Sequence, residues 1–312
     1  MAGFLIKRLL ALAGTLLVVS ILTYTLVIVT PGDPIRENLF RHATPDTYKV
    51  IAHEYGLDLP FWQRYLTYMG GLLHGDLGLS LSQPGQRVND LLADGLPISL
   101  QLGGLSLLVG LLVGVPLGVV AAARHNGPVA DHLSMGVMLV LYAAPSFVLI
   151  PPLIDILCIH LGWLPTGHWG DPGWLGIKEA ILPVLVNATG VAGYFARSLR
   201  SFLLEVLGQD YIRIARAKGL TRRRILFTHA LKNTLVPFVS LLGPTLAFLV
   251  VGSFVVETLF SINGIGNITV QATLQGDLAV TEATTLILAL AVVSANALTD
   301  IFYTIADPRV HL

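Results

Sequence analysis

The chain has 312 residues, of which 54% are hydrophobic and only 12% charged. Soluble domains carry about 25% charged residues, so the composition excludes a disordered chain, a nucleic-acid-binding arm and an ordinary cytosolic enzyme, and describes a polytopic membrane protein. The 19 basic and 19 acidic residues cancel, and the single cysteine, Cys158, allows neither an intramolecular disulfide nor a cysteine-based zinc site.

Lys7 and Arg8 precede the first uncharged run, Leu9–Val29. It begins like a signal peptide, but a signal core has about 7–15 apolar residues. Thr30-Pro31-Gly32-Asp33-Pro34 follows in place of a cleavage site. The run is read as a retained anchor (1–30) with its N-terminus in the cytoplasm. The segment 31–97 has its own helix punctuation and reads as an external helical subdomain. Thr44-Pro45-Asp46 starts one helix and Gly56 stops it. A second is expected from Pro60 to His74-Gly75, with Phe61, Tyr65, Tyr68, Met69, Leu72 and Leu73 at helical spacing, and a short third over Arg87–Leu92. The subdomain either packs on the outer membrane ends or meets an external partner.

Five further segments approach the length of about 20 apolar residues that a bilayer requires: Ile98–Ala123, His132–Ile154, Ala180–Ala196, Thr234–Val256 and Ala283–Thr299. The expected fold is therefore all-α with six transmembrane helices, five of them in a core spanning 98–312. With six spans both termini share a side, and 13 of the 19 basic residues fall there. The positive-inside bias makes that side cytoplasmic. Pro145, Pro151, Pro152 and Gly243-Pro244 interrupt the third and fifth spans. Such breaks are either ordinary kinks or the lining of a translocation path. On the second reading Tyr142, Pro145, Phe147, Phe248 and Ser253 are the candidate path residues.

The cytoplasmic loop Arg197–Lys232 holds nine basic and two acidic residues. Asp210 is expected to cap a helix through Lys218, Gly219 to stop it in a left-handed conformation, and Thr221 to cap a further helix through Leu235, before Pro237. Leu203, Leu204, Leu207, Tyr211, Ile214 and Ala215 are expected to form its apolar face. Topological bias or lipid headgroups account for the arginines, and Arg222, Arg223 and Arg224 are assigned chiefly to those roles. The helix–glycine–helix layout favours docking of a cytoplasmic protein. There is no G-x-x-x-x-G-K-[ST] loop, no H-E-x-x-H and no G-x-S-x-G. His160 and His168 lie near each other in an external loop but make a weak metal site. The near absence of charge inside the spans weakens an ion-coupled secondary carrier, the main alternative, and a scaffold without transport has no use for broken core helices.

Asp210-Tyr211-Ile212-Arg213-Ile214-Ala215-Arg216-Ala217-Lys218-Gly219-Leu220, with His229-Ala230-Leu231-Lys232-Asn233 and Pro237, resembles the coupling motif of binding-protein-dependent ABC importer permeases of the dipeptide/oligopeptide/nickel branch. Arg213-Ile214-Ala215 stands where the family has E-A-A, and Gly219 at its Gly. Arg213 replaces the Glu, so a Glu-mediated contact does not carry over. Pro31-Gly32-Asp33-Pro34, Gly56-Leu57-Asp58, Gly71–Ser80, Glu257–Ser261, Gly264-Ile265-Gly266 and Asp307-Pro308-Arg309-Val310 are similar to the first of the two permeases in such systems. The resemblance implies a type I importer permease fold. It implies assembly with a second homologous permease, two cytoplasmic ATP-binding subunits and an external substrate-binding protein, within membrane lipid and without nucleic acid. It implies no cofactor or metal in this chain, with ATP and Mg held by the partner ATPases, and a peptide cargo, with nickel or another peptide-like solute as the alternative. The coupling loop, 197–235, then receives the ATPase through the part spanning 210–235. The residues so implicated are Asp210, Tyr211, Arg213, Ala215, Arg216, Ala217, Lys218, Gly219, Leu220, Thr221 and Arg224.

Overall fold

The structure is a computed structural model and describes residues 2–29, 44–54, 56, 58–125, 127–170 and 174–306. The Pro31–Pro34 and Asp307–Val310 motifs lie outside these residues. Among the described residues the architecture is all-α, with one isolated bridge between Leu79 and Arg87. The chain forms two compact units, 1–100 with 261–291, and 101–260 with 292–312.

In the first unit, α1 (Ala2–Val29) is one unbroken helix. Helices α2 (Pro45–Glu54) and α3 (Phe61–Leu73) follow, as the prolines before and within their first turns dictate. Tyr24 of α1 meets Phe61, Tyr65 and Tyr68 of α3 edge-on or stacked at 5.4–6.0 Å between ring centroids. The aromatic spacing in α3 thus serves a contact with the anchor helix. Leu73, expected on the same apolar stripe, is exposed.

No separate helix forms over Arg87–Leu92. Those residues open α4 (Val88–Ala123), which continues through Pro97. A proline removes one backbone hydrogen bond, and the helix survives where its flanks are packed. Here Val88 and Leu92 sit in a core with Ile265, Ala272, Val280 and Ala283. These belong to α12 (Ile265–Leu274) and α13 (Leu278–Ala306), and Ser99 of α4 accepts the Ile265 N–H, an otherwise orphaned donor in the first turn of α12.

Between α3 and α4 the chain is held by one buried carboxylate. Asp277 Oδ2 accepts from the Ser80 hydroxyl (2.6 Å), the Ser82 N–H (2.8 Å) and the Ser82 hydroxyl (2.8 Å). Its Oδ1 accepts the Val280 N–H at the start of α13. Removing a buried acceptor strands each donor at about 1–3 kcal/mol. Asp277→Ala is therefore expected to lower the melting temperature and to open residues 75–87 to limited proteolysis, with Asp277→Asn intermediate. Unchanged cleavage in Asp277→Ala would remove the anchor role.

In the second unit, α7 (Trp174–Leu207) is central. It packs against α5 (Pro128–Ala143), α6 (Ser146–Leu153), α10 (Leu231–Val239) and α11 (Leu242–Leu259). Val119, Val191, Phe195, Leu199, Leu203, Leu226, Phe238 and Leu249 form the core. Three glycines of α4 one turn apart, Gly110, Gly114 and Gly118, face α7 closely. A Cβ on Gly114 would lie 2.6 Å from the Ala192 carbonyl oxygen, and one on Gly118 2.7 Å from that of Ala196.

Two expected spans are not single helices. The helix expected over His132–Ile154 turns by 91° between α5 and α6. Pro145 disfavours helical backbone in the residue before it, and Ala144 is accordingly extended (φ −74°, ψ 111°). Beyond Pro151 and Pro152 the chain widens into a π-helical stretch, Ile154–His160. The span expected over Thr234–Val256 is divided at Ser240-Leu241 between α10 and α11. Val88–Ala123, Leu175–Leu207 and Leu278–Ala297 are each long and apolar enough to cross a bilayer.

Candidate functional site

The candidate coupling segment is built by local rules. After α7 ends, Gln209 is extended and α8 (Asp210–Ala217) begins. Asp210 is not the cap, as the sequence suggested. It is the first helical residue, where a carboxylate favours the positive helix end, and it pairs with Arg213 at 3.1 Å on the exposed surface. Gly219 adopts φ +76°. Its N–H donates to Arg216 C=O (2.9 Å), and the Leu220 N–H reaches back to Ala215 C=O (3.2 Å). Together these form a Schellman stop. The accompanying apolar contact is present, since Leu220 packs with Ile212, Ala215 and Ile225. Thr221 then caps α9 (Arg222–Arg224), its Oγ1 accepting the Arg224 N–H at 3.4 Å. The helix runs on through a π-helical stretch, Ile225–Ala230, into α10. It passes Pro237, which costs one hydrogen bond within a segment whose Thr234 and Phe238 are buried, and stops at Val239.

The apolar face of α8 differs from the expected one. Ile212 and Ala215 point inward, while Tyr211 and Ile214 are 42% and 57% exposed. Leu207, Leu220 and Ile225 supply the packing from both flanks, and this selects the Ile212–Ala215 side. Tyr211 is steadied by Asn233, whose side-chain amide donates to its hydroxyl at 2.7 Å. Arg213, Arg216, Ala217 and Lys218 are exposed beside it. The resulting surface is cationic around an apolar centre, the composition of an interface hot spot.

Two arginines of the segment reach carbonyls at the ends of long helices. Arg216 donates to the Leu207 carbonyl at the end of α7 (3.5 Å), and Arg222 donates to the Ala123 carbonyl at the end of α4. A cation at a helix C-terminus satisfies an orphaned carbonyl and complements the helix dipole. Arg222, assigned from sequence to topology and headgroups, is therefore a helix-end clamp. Between the clamps lies a hollow of about 310 Å³ lined by Ala122, His125, Leu207, Leu220 and Leu226. Deeper in the unit, Arg200 of α7 pairs with Asp131 of α5 at 2.5 Å, and Arg197 lies 4.8 Å above the Tyr142 ring, which stacks on Tyr194.

The candidate path residues are spread over several elements. Tyr142 and Phe147 are exposed on either side of the bend at Pro145, and Ser253 is buried in α11. The Phe248 side chain lies outside the described set. The glycine stripe of α4 escaped the sequence reading, although its four-residue spacing was a usable signal.

Long apolar helices joined to a short, exposed amphipathic helix on a glycine turn describe a membrane protein with an accessible surface element. Residues 114–312 match the binding-protein-dependent transport system inner membrane component, and residues 1–103 match the N-terminal model of such membrane components. The chain belongs to this family; it is a multi-pass inner-membrane permease subunit, not an enzyme. It is 36% identical over its whole length to a dipeptide transport system permease protein of Bacillus subtilis, covering 99% of that protein. It is 34% identical to an oligopeptide transport system permease protein of Salmonella typhimurium, covering 99% of each chain. Its fold is like that of a chain in the inward-facing MetNI methionine ABC transporter, with a TM-score of 0.58 at 21% identity, covering 70% of this chain and 96% of that one.

Proposed function

We propose that this chain is the permease subunit of an ATP-driven importer that carries peptides across the cytoplasmic membrane. The carrying observation is full-length similarity to dipeptide and oligopeptide permeases, joined to an exposed α8 on a Schellman turn. Six spans with both termini cytoplasmic, an anchor over 1–30, an external subdomain over 31–97 and a core over 98–312 complete the reading. A second homologous permease shares the membrane path. Two cytoplasmic subunits hold ATP and Mg, and an external binding protein delivers the peptide. Movement of the ATPases displaces α8 with its Tyr211–Ile214 surface and biases the permease pair between inward-facing and outward-facing states. Tyr142, Pro145, Phe147, Phe248 and Ser253 remain the candidate path residues.

The test is reconstitution in proteoliposomes with and without the ATPase subunits, following a labelled dipeptide and a labelled longer peptide. Uptake is expected only with ATPases, ATP and loaded binding protein together. Uptake driven by an ion gradient without ATPases would establish the secondary carrier instead. Competition by nickel but not by peptides would reassign the cargo.

A further inference from the structure

The first unit contains a second polar feature, away from the coupling segment. Helices α1 and α3, the loop before α4 and the first turns of α13 surround a cavity of about 520 Å³. Leu59, Leu81, Leu278 and Ala279 make much of its wall, and Tyr24, Arg64, Tyr68 and Glu282 line it as well. Glu282 is only 2% exposed, yet neither carboxylate oxygen has a hydrogen-bond partner, and the buried Tyr68 hydroxyl also lacks one. Ser20 is close enough to Glu282 to favour its charged form as a hydrogen-bond donor, against the larger effect of burial, while its hydroxyl also meets the Tyr65 hydroxyl (3.0 Å) and Met69 Sδ (3.4 Å). The other ionisable groups of the wall have partners of their own. His53 bonds Asp58 at 2.9 Å, and Asp76 accepts the Gly78 N–H at 3.0 Å.

A buried carboxylate without donors is among the costlier arrangements a protein can hold. The missing complement here is specific. The two carboxylate oxygens need donors, and Tyr68, which lies in the field of Glu282, brings a hydroxyl oxygen at the same cavity that can accept one more. Burial, with the Glu282 charge adding to it, pushes the Tyr68 phenol far up, so it keeps its proton and its oxygen can both donate and accept. A primary ammonium has three N–H donors and no acceptor. A quaternary ammonium has none and leaves the oxygens stranded. Arg64 at the same cavity already bonds the Tyr24 hydroxyl, and its five-donor guanidinium has further N–H groups for an acidic group on the same ligand.

We propose that this cavity is a binding site for a zwitterion bearing a primary ammonium, held by Glu282 and Tyr68, with its acidic group toward Arg64. Two sources share that chemistry: an ethanolamine phospholipid headgroup and a free amino acid or short peptide. Glu282 immediately precedes the apolar run Ala283–Thr299, and on the span assignment proposed above this is headgroup depth.

The full-length chain with its co-purifying subunits is placed in nanodiscs of phosphatidylethanolamine or phosphatidylcholine, and retained lipid is measured by native mass spectrometry. Binding of alanyl-alanine and of its N-acetyl form is measured on the same samples. Selective retention of one ethanolamine lipid identifies the lipid source. Binding of alanyl-alanine but not of the acetylated form identifies the free solute. In either case Glu282→Gln is expected to weaken retention at least tenfold, and Tyr68→Phe, a milder change, to weaken it severalfold. Equal retention of both lipids with no dipeptide binding, or binding indifferent to both substitutions in folded protein, overturns the site. The readout needs neither ATP hydrolysis nor uptake, so it succeeds or fails separately from the importer reading.

Discussion

Gly219→Val is expected to cut peptide uptake and transport-coupled ATP hydrolysis at least tenfold while the chain still inserts and assembles. The reason lies in the backbone. Gly219 sits at φ +76°, and no atom lies within 4 Å of where a Cβ would stand. Space is therefore available and only conformation is at stake. An L-residue in the left-handed region costs about 1–2 kcal/mol, and a β-branched one resists it further. The cost falls on the two hydrogen bonds that terminate α8 and on the Leu220 contact that aligns it. A graded series follows, with Asn mildest, Ala intermediate and Val most severe. Uptake and ATPase rates in the reconstituted complex measure it, and cysteine accessibility reports insertion. Normal coupling in Gly219→Val would dismiss α8 as the lever.

Gly114→Val and Gly118→Val should act on folding. Their Cβ atoms would meet the backbone of α7, which cannot swing aside as a flexible side chain can. Even Gly114→Ala is expected to cost about 1–3 kcal/mol, the range for overpacking. The double change to Ala should leave little monodisperse protein on size exclusion. Gly104→Ala in the same helix is the control, because nothing lies within 4 Å of its added Cβ. Equal thermal stability of Gly114→Ala and Gly104→Ala would mean that the close approach carries no weight. Small residues at four-residue spacing let membrane helices approach closely, and dispersion contacts are the main source of attraction once both helices are in lipid.

What was legible in the sequence follows the range of each interaction. The Gly219 stop and the Thr221 cap were readable because each depends on residues within five positions of itself. The apolar runs were readable because bilayer thickness sets their length. The inward face of α8 was not, since Leu207 and Ile225 choose it from outside the helix; Tyr211 and Ile214 are at equally good helical spacing. The break at Pro145 was visible as a proline, but its angle depends on how α5 and α6 each seat on α7. Glu282 stands one residue before the expected span Ala283–Thr299, and only the fold reveals that it is buried in the wall of a cavity with Tyr24, Arg64 and Tyr68. Asp277 offered no sequence signal toward Ser80 and Ser82, which lie nearly 200 residues earlier.

The arginine clamps have a mechanical consequence. Arg216 and Arg222 flank the glycine turn, one gripping the end of α7 and the other the end of α4. The turn is thus mounted at two points on two long helices already locked together along the glycine stripe. A force applied to α8 meets little slack before it reaches both. If α8 transmits force as proposed, the places left to bend are the interruptions at Ala144-Pro145 and Ser240-Leu241. A stiff mount on one side and two breaks on the other would let a small push become a rearrangement of the membrane helices instead of being lost as local bending.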